Sequence, residues 1–174
     1  MRKTLILGAA VIALAASGCA RRTPPPEVTG PVEQAPVGPG GEAVHPGDVE
    51  LTELPAQQAD LVAKAGSDTV YFGTDEHILD DAARATLAAQ ARWLIEHPNV
   101  RASIEGHADE RGTREYNMAL GERRANAARD FLVSQGVPDS RLLVISWGKE
   151  RPVAAGSNVE AWAQNRRAVT VLVR

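Results

Sequence analysis

Residues 106–125 read GHADERGTREYNMALGERRA, and the position of one arginine in that run sets the reading of the whole chain. Thr113 to Gln135 carries a helical pattern that stops at Gly136, with Pro138 two residues on. At 100° per residue, Leu120, Ala127, Ala128 and Phe131 form an apolar face with Arg124 in its middle. A guanidinium aimed at a core needs a carboxylate, and Asp109, in the turn before the helix, is the nearest one in sequence. The two are expected either to satisfy each other or to bind a ligand that carries both charges, such as an amino-acid head group.

Working outward, Thr69 to Phe72 is a short β-rich run closed by Gly73. Asp80 to His97 has apolar residues at helical spacing (Leu79, Ala83, Leu87, Ala91, Leu94) and ends at Pro98. Val100 to Glu105 alternates, with Val100, Ala102 and Ile104 on one side and Arg101, Ser103 and Glu105 on a wet face, and Gly106 ends it. Leu142 to Ser146 predicts a third strand, Val159 to Gln164 a short helix and Ala168 to Val173 a closing strand. Strands alternating with helices predict a two-layer α/β (α+β) domain, β-α-β-α-β-(α)-β, with the helices packed on one mixed sheet over residues 67–174. The pattern Leu51, Leu54, Leu61, Val62 allows a short helix within 51–66, with Pro55 tolerable only near its start.

The N-terminal segment differs in kind. Arg2 and Lys3 precede an apolar stretch, Leu5 to Ala16, that is too short to span a bilayer, so residues 1–18 read as a secretory signal. Cys19 is the only cysteine, which rules out an intrachain disulfide. Small residues followed by cysteine resemble a bacterial lipobox, although Ala16 stands where lipoboxes usually carry leucine; the resemblance implies that Cys19 is lipidated. Ala20 follows it, and the absence of aspartate there implies delivery to the outer membrane. Residues 19–50 hold Pro24, Pro25, Pro26, Pro31, Pro36, Pro39 and Pro46 with glycines between them, and read as a tether. About thirty such residues have a root-mean-square span of roughly 30 Å.

Without Arg2 and Lys3 the chain has 17 basic against 22 acidic residues. Arg123/Arg124 and Arg166/Arg167 are isolated pairs that suit a solvated surface or a single anion site, so nucleic acid is not an expected partner. There is no G-x-S-x-G elbow, no H-E-x-x-H and no clear carboxylate pair, which argues against an enzyme and against a hydrolase in particular. His107 has no second histidine or cysteine at ligand spacing, so neither a metal nor a cofactor is expected and a structural role in the motif loop is favoured. Glu110 and Arg111 read as a surface pair, and Trp147 and Trp162 as residues closing the core around the last loop or, for either, as part of a partner surface.

GHADERGTREYNMALGERRANA, the earlier YFGTD, the later SWGKERP and the final NRRAV together resemble the OmpA-like peptidoglycan-binding domain family, almost continuously over 69–174. The lipobox and proline-rich tether resemble its lipid-anchored members. The resemblance implies non-covalent binding of the meso-diaminopimelate of the peptidoglycan stem peptide. It assigns that role to Asp109 and to Arg124, fifteen residues later. It adds Asp75, which otherwise reads as a turn cap, and the backbone at Thr74, where many members have phenylalanine. Asn117 is expected either to contact the ligand or to brace the motif loop. The resemblance also implies TolB and other Tol proteins as partners, in drawing the outer membrane inward at division. A lipoprotein whose domain binds only protein partners is the alternative.

Overall fold

The structure is a computed structural model and describes residues 52–174. The signal, Cys19 and the tether lie outside the described residues. The elements are α1 (Pro55–Ala65), β1 (Thr69–Tyr71), α2 (Asp81–Glu96), β2 (Arg101–His107), α3 (Arg114–Ser134), β3 (Leu142–Gly148), α4 (Val159–Asn165) and β4 (Arg167–Val173), with one 3-10 turn at Asp139–Arg141. The four strands form one sheet in the order β1-β4-β2-β3, in which β2 and β3 are parallel and the other two pairings antiparallel. This is the mixed α/β architecture that the alternation of strands and helices predicts.

Local chemistry sets the helix ends. Asp80 caps α2 by accepting from the Ala83 amide at 2.7 Å. Thr113 caps α3 by accepting from the Tyr116 amide at 3.2 Å. Beyond α3, Gly136 takes φ 101°, a left-handed conformation that suits glycine, and closes the helix. Pro55 sits in the first turn of α1, where its missing N–H costs nothing.

One hydrophobic cluster joins Leu61 of α1, Leu87, Ala91 and Leu94 of α2, and Ala125, Ala128 and Leu132 of α3 to Ala102, Ile104, Ala168 and Leu172 of the sheet. Leu61 is fully buried there, so α1 belongs to the packed body. The buried stripe of α3 is Asn117, Leu120, Gly121, Arg124, Ala125, Ala128 and Leu132. It is rotated from the expected face, leaving Ala127 and Phe131 at its edge. The rotation follows from a close approach: a Cβ on Gly106 would lie 1.8 Å from the Gly121 carbonyl oxygen. Two glycines in register let α3 lie directly on β2.

Three sequence expectations are corrected. β2 does not end at Gly106 but runs to His107, because Gly106 pairs with both Ser146 and Ala168. Ser103 does not face water: it is fully buried, a small side chain flanked in register by Leu143 and Val171. Neither Trp147 nor Trp162 closes the core. Trp147 lies on the opposite sheet face, donating to Glu105 at 2.8 Å with Arg151 stacked 3.3 Å from its ring centre. Trp162 donates to Glu110 at 3.0 Å and carries the Arg111 guanidinium 4.3 Å above its ring. The buried tryptophan is Trp93, whose indole N–H donates to Asp60 at 2.8 Å.

Candidate functional site

The loops that follow β1 and β2 face each other across the N-terminal half of α3 and enclose a pocket of about 360 Å³. Thr74 and Asp75 form one wall, Asp109, Arg111 and Gly112 the other, and Tyr116, Asn117, Leu120 and Arg124 the helical floor. The structure therefore brings all five sequence-predicted residues of the globular domain to one cavity.

Arg124 is fully buried, but its partners are not carboxylates. Its guanidinium donates to three backbone carbonyls: Glu76 at 2.8 Å, His107 at 2.8 Å and Gly73 at 3.1 Å. Of the two sequence readings, the one in which Arg124 and Asp109 satisfy each other is thus corrected. Each of the three guanidinium nitrogens thus has one carbonyl acceptor and none has a carboxylate, and the planar fork pins the loop after β1 to the end of β2. Burial, followed by the nearby positive charge of Arg166, pushes the guanidinium down to about 10, opposed by the charges of Asp109 and Asp75.

Asp109 is instead paired within its own loop. Its Oδ1 accepts from the Arg111 amide at 3.1 Å and the Arg111 Nε at 3.0 Å. Its Oδ2 accepts from Arg111 Nη2 at 2.7 Å and from Arg166 Nη1 at 3.5 Å. Burial alone pushes this carboxyl up, but the hydrogen bonds from Arg111 and Arg166 outweigh burial and hold it below the usual range. The surface pairing expected between Glu110 and Arg111 is replaced by this arrangement.

Asp75 has φ 61°, the only positive φ outside glycine among the described residues, which aspartate tolerates better than most. Its carboxylate accepts the phenolic proton of Tyr116. Thr74 beside it is exposed. Asn117 is buried and braces the motif loop, donating to the Arg111 carbonyl at 2.7 Å and the Thr113 carbonyl at 3.0 Å. His107 is buried, and burial followed by the charges of Arg167 and Arg151 pushes its imidazole down to about 3, so it is neutral. No group of metal-ligating side chains occurs among the described residues.

Three site residues were not among the sequence candidates: Arg111, Tyr116 and Arg166. Tyr116 had a legible signal, since it stands eight positions before Arg124 on one helical stripe with Leu120 between. Arg166 stands in a pair that suits a single anion site, but its approach to Asp109 depends on how α4 joins β4 and has no signal in the sequence.

A two-layer α/β domain with this site matches a known class. A profile described as the OmpA family matches residues 71–166. The chain belongs to the OmpA family. Within it, the relatives that match nearly the whole chain are peptidoglycan-associated lipoproteins. That of Agrobacterium fabrum is 48% identical over 164 residues, covering 94% of this chain and 85% of the relative. That of Rhizobium meliloti is 47% identical over 167 residues, covering 96% and 86%. The crystal structure of the peptidoglycan-associated lipoprotein from Burkholderia pseudomallei is 45% identical with a TM-score of 0.60, covering 62% of this chain and 91% of that one. The C-terminal domain of Helicobacter pylori MotB, 19% identical with a TM-score of 0.56 and covering 60% and 83%, shares the fold alone.

Proposed function

We propose that this protein is an outer-membrane lipoprotein that binds peptidoglycan without cleaving it, and so ties the outer membrane to the cell wall. In this reading residues 1–18 direct export and Cys19 carries the lipid. Residues 19–50 form the tether and the domain from 67 onward binds the wall. TolB and the other Tol proteins are its partners at division. The names of the relatives support the wall-binding role. Among the described residues, no helix is long and apolar enough to cross a membrane, which agrees with attachment by lipid.

One observation carries the reading: two carboxylates, Asp75 and Asp109, line the same pocket as the guanidiniums of Arg111 and Arg124. The amino-acid end of meso-diaminopimelate carries one ammonium and one carboxylate, the complement of those walls. Asp109 and Asp75 take the ammonium. The backbone at Thr74 contributes a contact, Asn117 keeps the motif loop in place, and Arg124 supplies positive charge from the floor to the ligand carboxylate. His107 does not line this pocket, and with its imidazole pushed down to about 3 it is a weak base.

The test is co-sedimentation of the full chain, in detergent micelles, with purified sacculi. Wild type pellets, a folded Asp109→Asn variant stays in the supernatant, and free diaminopimelate peptide competes. A well-folded wild type that does not pellet sinks wall binding and leaves a lipoprotein that binds only proteins.

A further inference from the structure

The carboxylate of Asp109 has about four lone-pair directions. In this structure all are engaged, by the Arg111 amide, Arg111 Nε, Arg111 Nη2 and Arg166 Nη1. A ligand ammonium therefore reaches Asp109 only if one of the two guanidiniums withdraws. Arg166 is not free to do so: its side chain is 12% exposed and its Nε donates to the Phe72 carbonyl at 3.0 Å. Arg111 is free. Its side chain is 42% exposed, and its guanidinium hydrogen-bonds to Asp109 alone while resting over the Trp162 ring.

The loop does not depend on that side chain. Asn117 holds the Arg111 carbonyl at 2.7 Å, and Lys149 holds the Glu110 and Gly112 carbonyls at 3.2 Å and 2.7 Å. The Arg111 amide stays bonded to Asp109 whatever the guanidinium does.

We propose that Arg111 is the specificity-determining residue of this pocket, an internal cation that is displaced without loss of charge pairing only by a ligand bearing both an ammonium and a carboxylate. The proposal rests on the wall-binding reading above. A plain amine that takes Asp109 strands the Arg111 guanidinium beside Arg166 and Arg124, three like charges around one pocket. A plain carboxylate that draws Arg111 away leaves Asp109 with Arg166, at 3.5 Å, as its one cationic partner. A zwitterionic end exchanges one ion pair for two, because its ammonium takes Asp109 while its carboxylate takes the released fork of Arg111. The residue so placed distinguishes a stem peptide ending its side chain in an amino acid from one ending it in a simple amine.

The experiment is calorimetric titration of the full chain in detergent micelles with two soluble stem peptides. One carries meso-diaminopimelate; the other carries lysine at the same place, which lacks only the extra carboxylate. Wild type prefers the diaminopimelate peptide. Arg111→Ala narrows the ratio of the two dissociation constants by about tenfold, with the lysine peptide binding more tightly than to wild type. Arg111→Lys, which keeps the charge but not the fork, falls between. An unchanged ratio in Arg111→Ala overturns the proposal. So does an equal weakening of both peptides, which would mark Arg111 as a loop brace. Wild type binding neither peptide is a different failure, that of the wall-binding reading itself, and the proposal falls with it.

Discussion

Two arginines line one pocket and are held in opposite ways. Arg124, on the floor, is fully buried and donates only to backbone carbonyls. Arg111, on the rim, is half in water and spends its side-chain bonds on a carboxylate that a ligand can claim. Carbonyls fixed in the chain cannot be handed to a ligand, so the floor guanidinium keeps its place and offers a ligand its charge without changing partners. A carboxylate facing a cavity can change partners, so the rim guanidinium is exchangeable. The same functional group does two jobs, and what decides between them is the acceptor and the water around it.

The comparison is open to direct attack. Arg124→Ala strips three backbone carbonyls of their donor, empties a fully buried site and costs about 3–5 kcal/mol in chemical denaturation. A variant losing less than about 1 kcal/mol there would put Arg124 on a par with the rim.

The next effect concerns His107, whose carbonyl Arg124 holds and whose ring is buried. Its folded value, about 3, lies below the ordinary 6.5. Between those values the unfolded chain takes up a proton that the folded chain refuses. Stability is thus full above pH 6.5 and falls as pH drops, by about 1.4 kcal/mol per unit. Denaturation midpoints measured from pH 6.5 down to 5 reveal the slope, and His107→Gln flattens it. A slope unaltered in that variant would assign the acid sensitivity elsewhere.

The smallest effect is on the rim. Arg111→Ala shifts Tm by no more than about 2 °C, because the Arg111 side chain is half in water, Asp109 keeps the backbone amide of residue 111 and Arg166, and the loop is held by Asn117 and Lys149. In the same variant the Asp109 carboxyl titrates higher, since a principal donor is gone. Carboxyl chemical shifts followed through an acid titration check this.

Much of the fold was legible because its signals are local. Asp80, Thr113 and Gly136 mark helix ends through bonds or dihedrals within a few residues, and the period of Leu79 to Leu94 defines a face. The depth of Arg124 was legible for the same reason, as a position on a helix. Its partners were not. The Gly73 and Glu76 carbonyls lie 51 and 48 positions away, and a carbonyl is carried by every residue, so nothing in the side chains announces it. Among side chains, a buried guanidinium calls for a carboxylate, and Asp109 is the nearest in sequence. The tryptophans failed similarly: Trp147 and Trp162 are apolar in composition, but each packs a guanidinium and donates to a glutamate, a preference that residue type does not reveal.

The entry of the chain into the domain has a mechanical side. Leu54 donates to the Leu172 carbonyl and Arg174 to the Thr52 carbonyl, so residues 52–54 run antiparallel to the far end of β4. That end aligns with Arg101, whereas the pocket lies beyond the other end of β2, at His107, roughly 20 Å away along the strand. In a tether of the kind proposed, tension enters beside Val173 and leaves through the pocket, directed along the strands. The contacts of β4 with β2 and with residues 52–54 are then loaded lengthwise and must slip together, rather than open in succession like a zip.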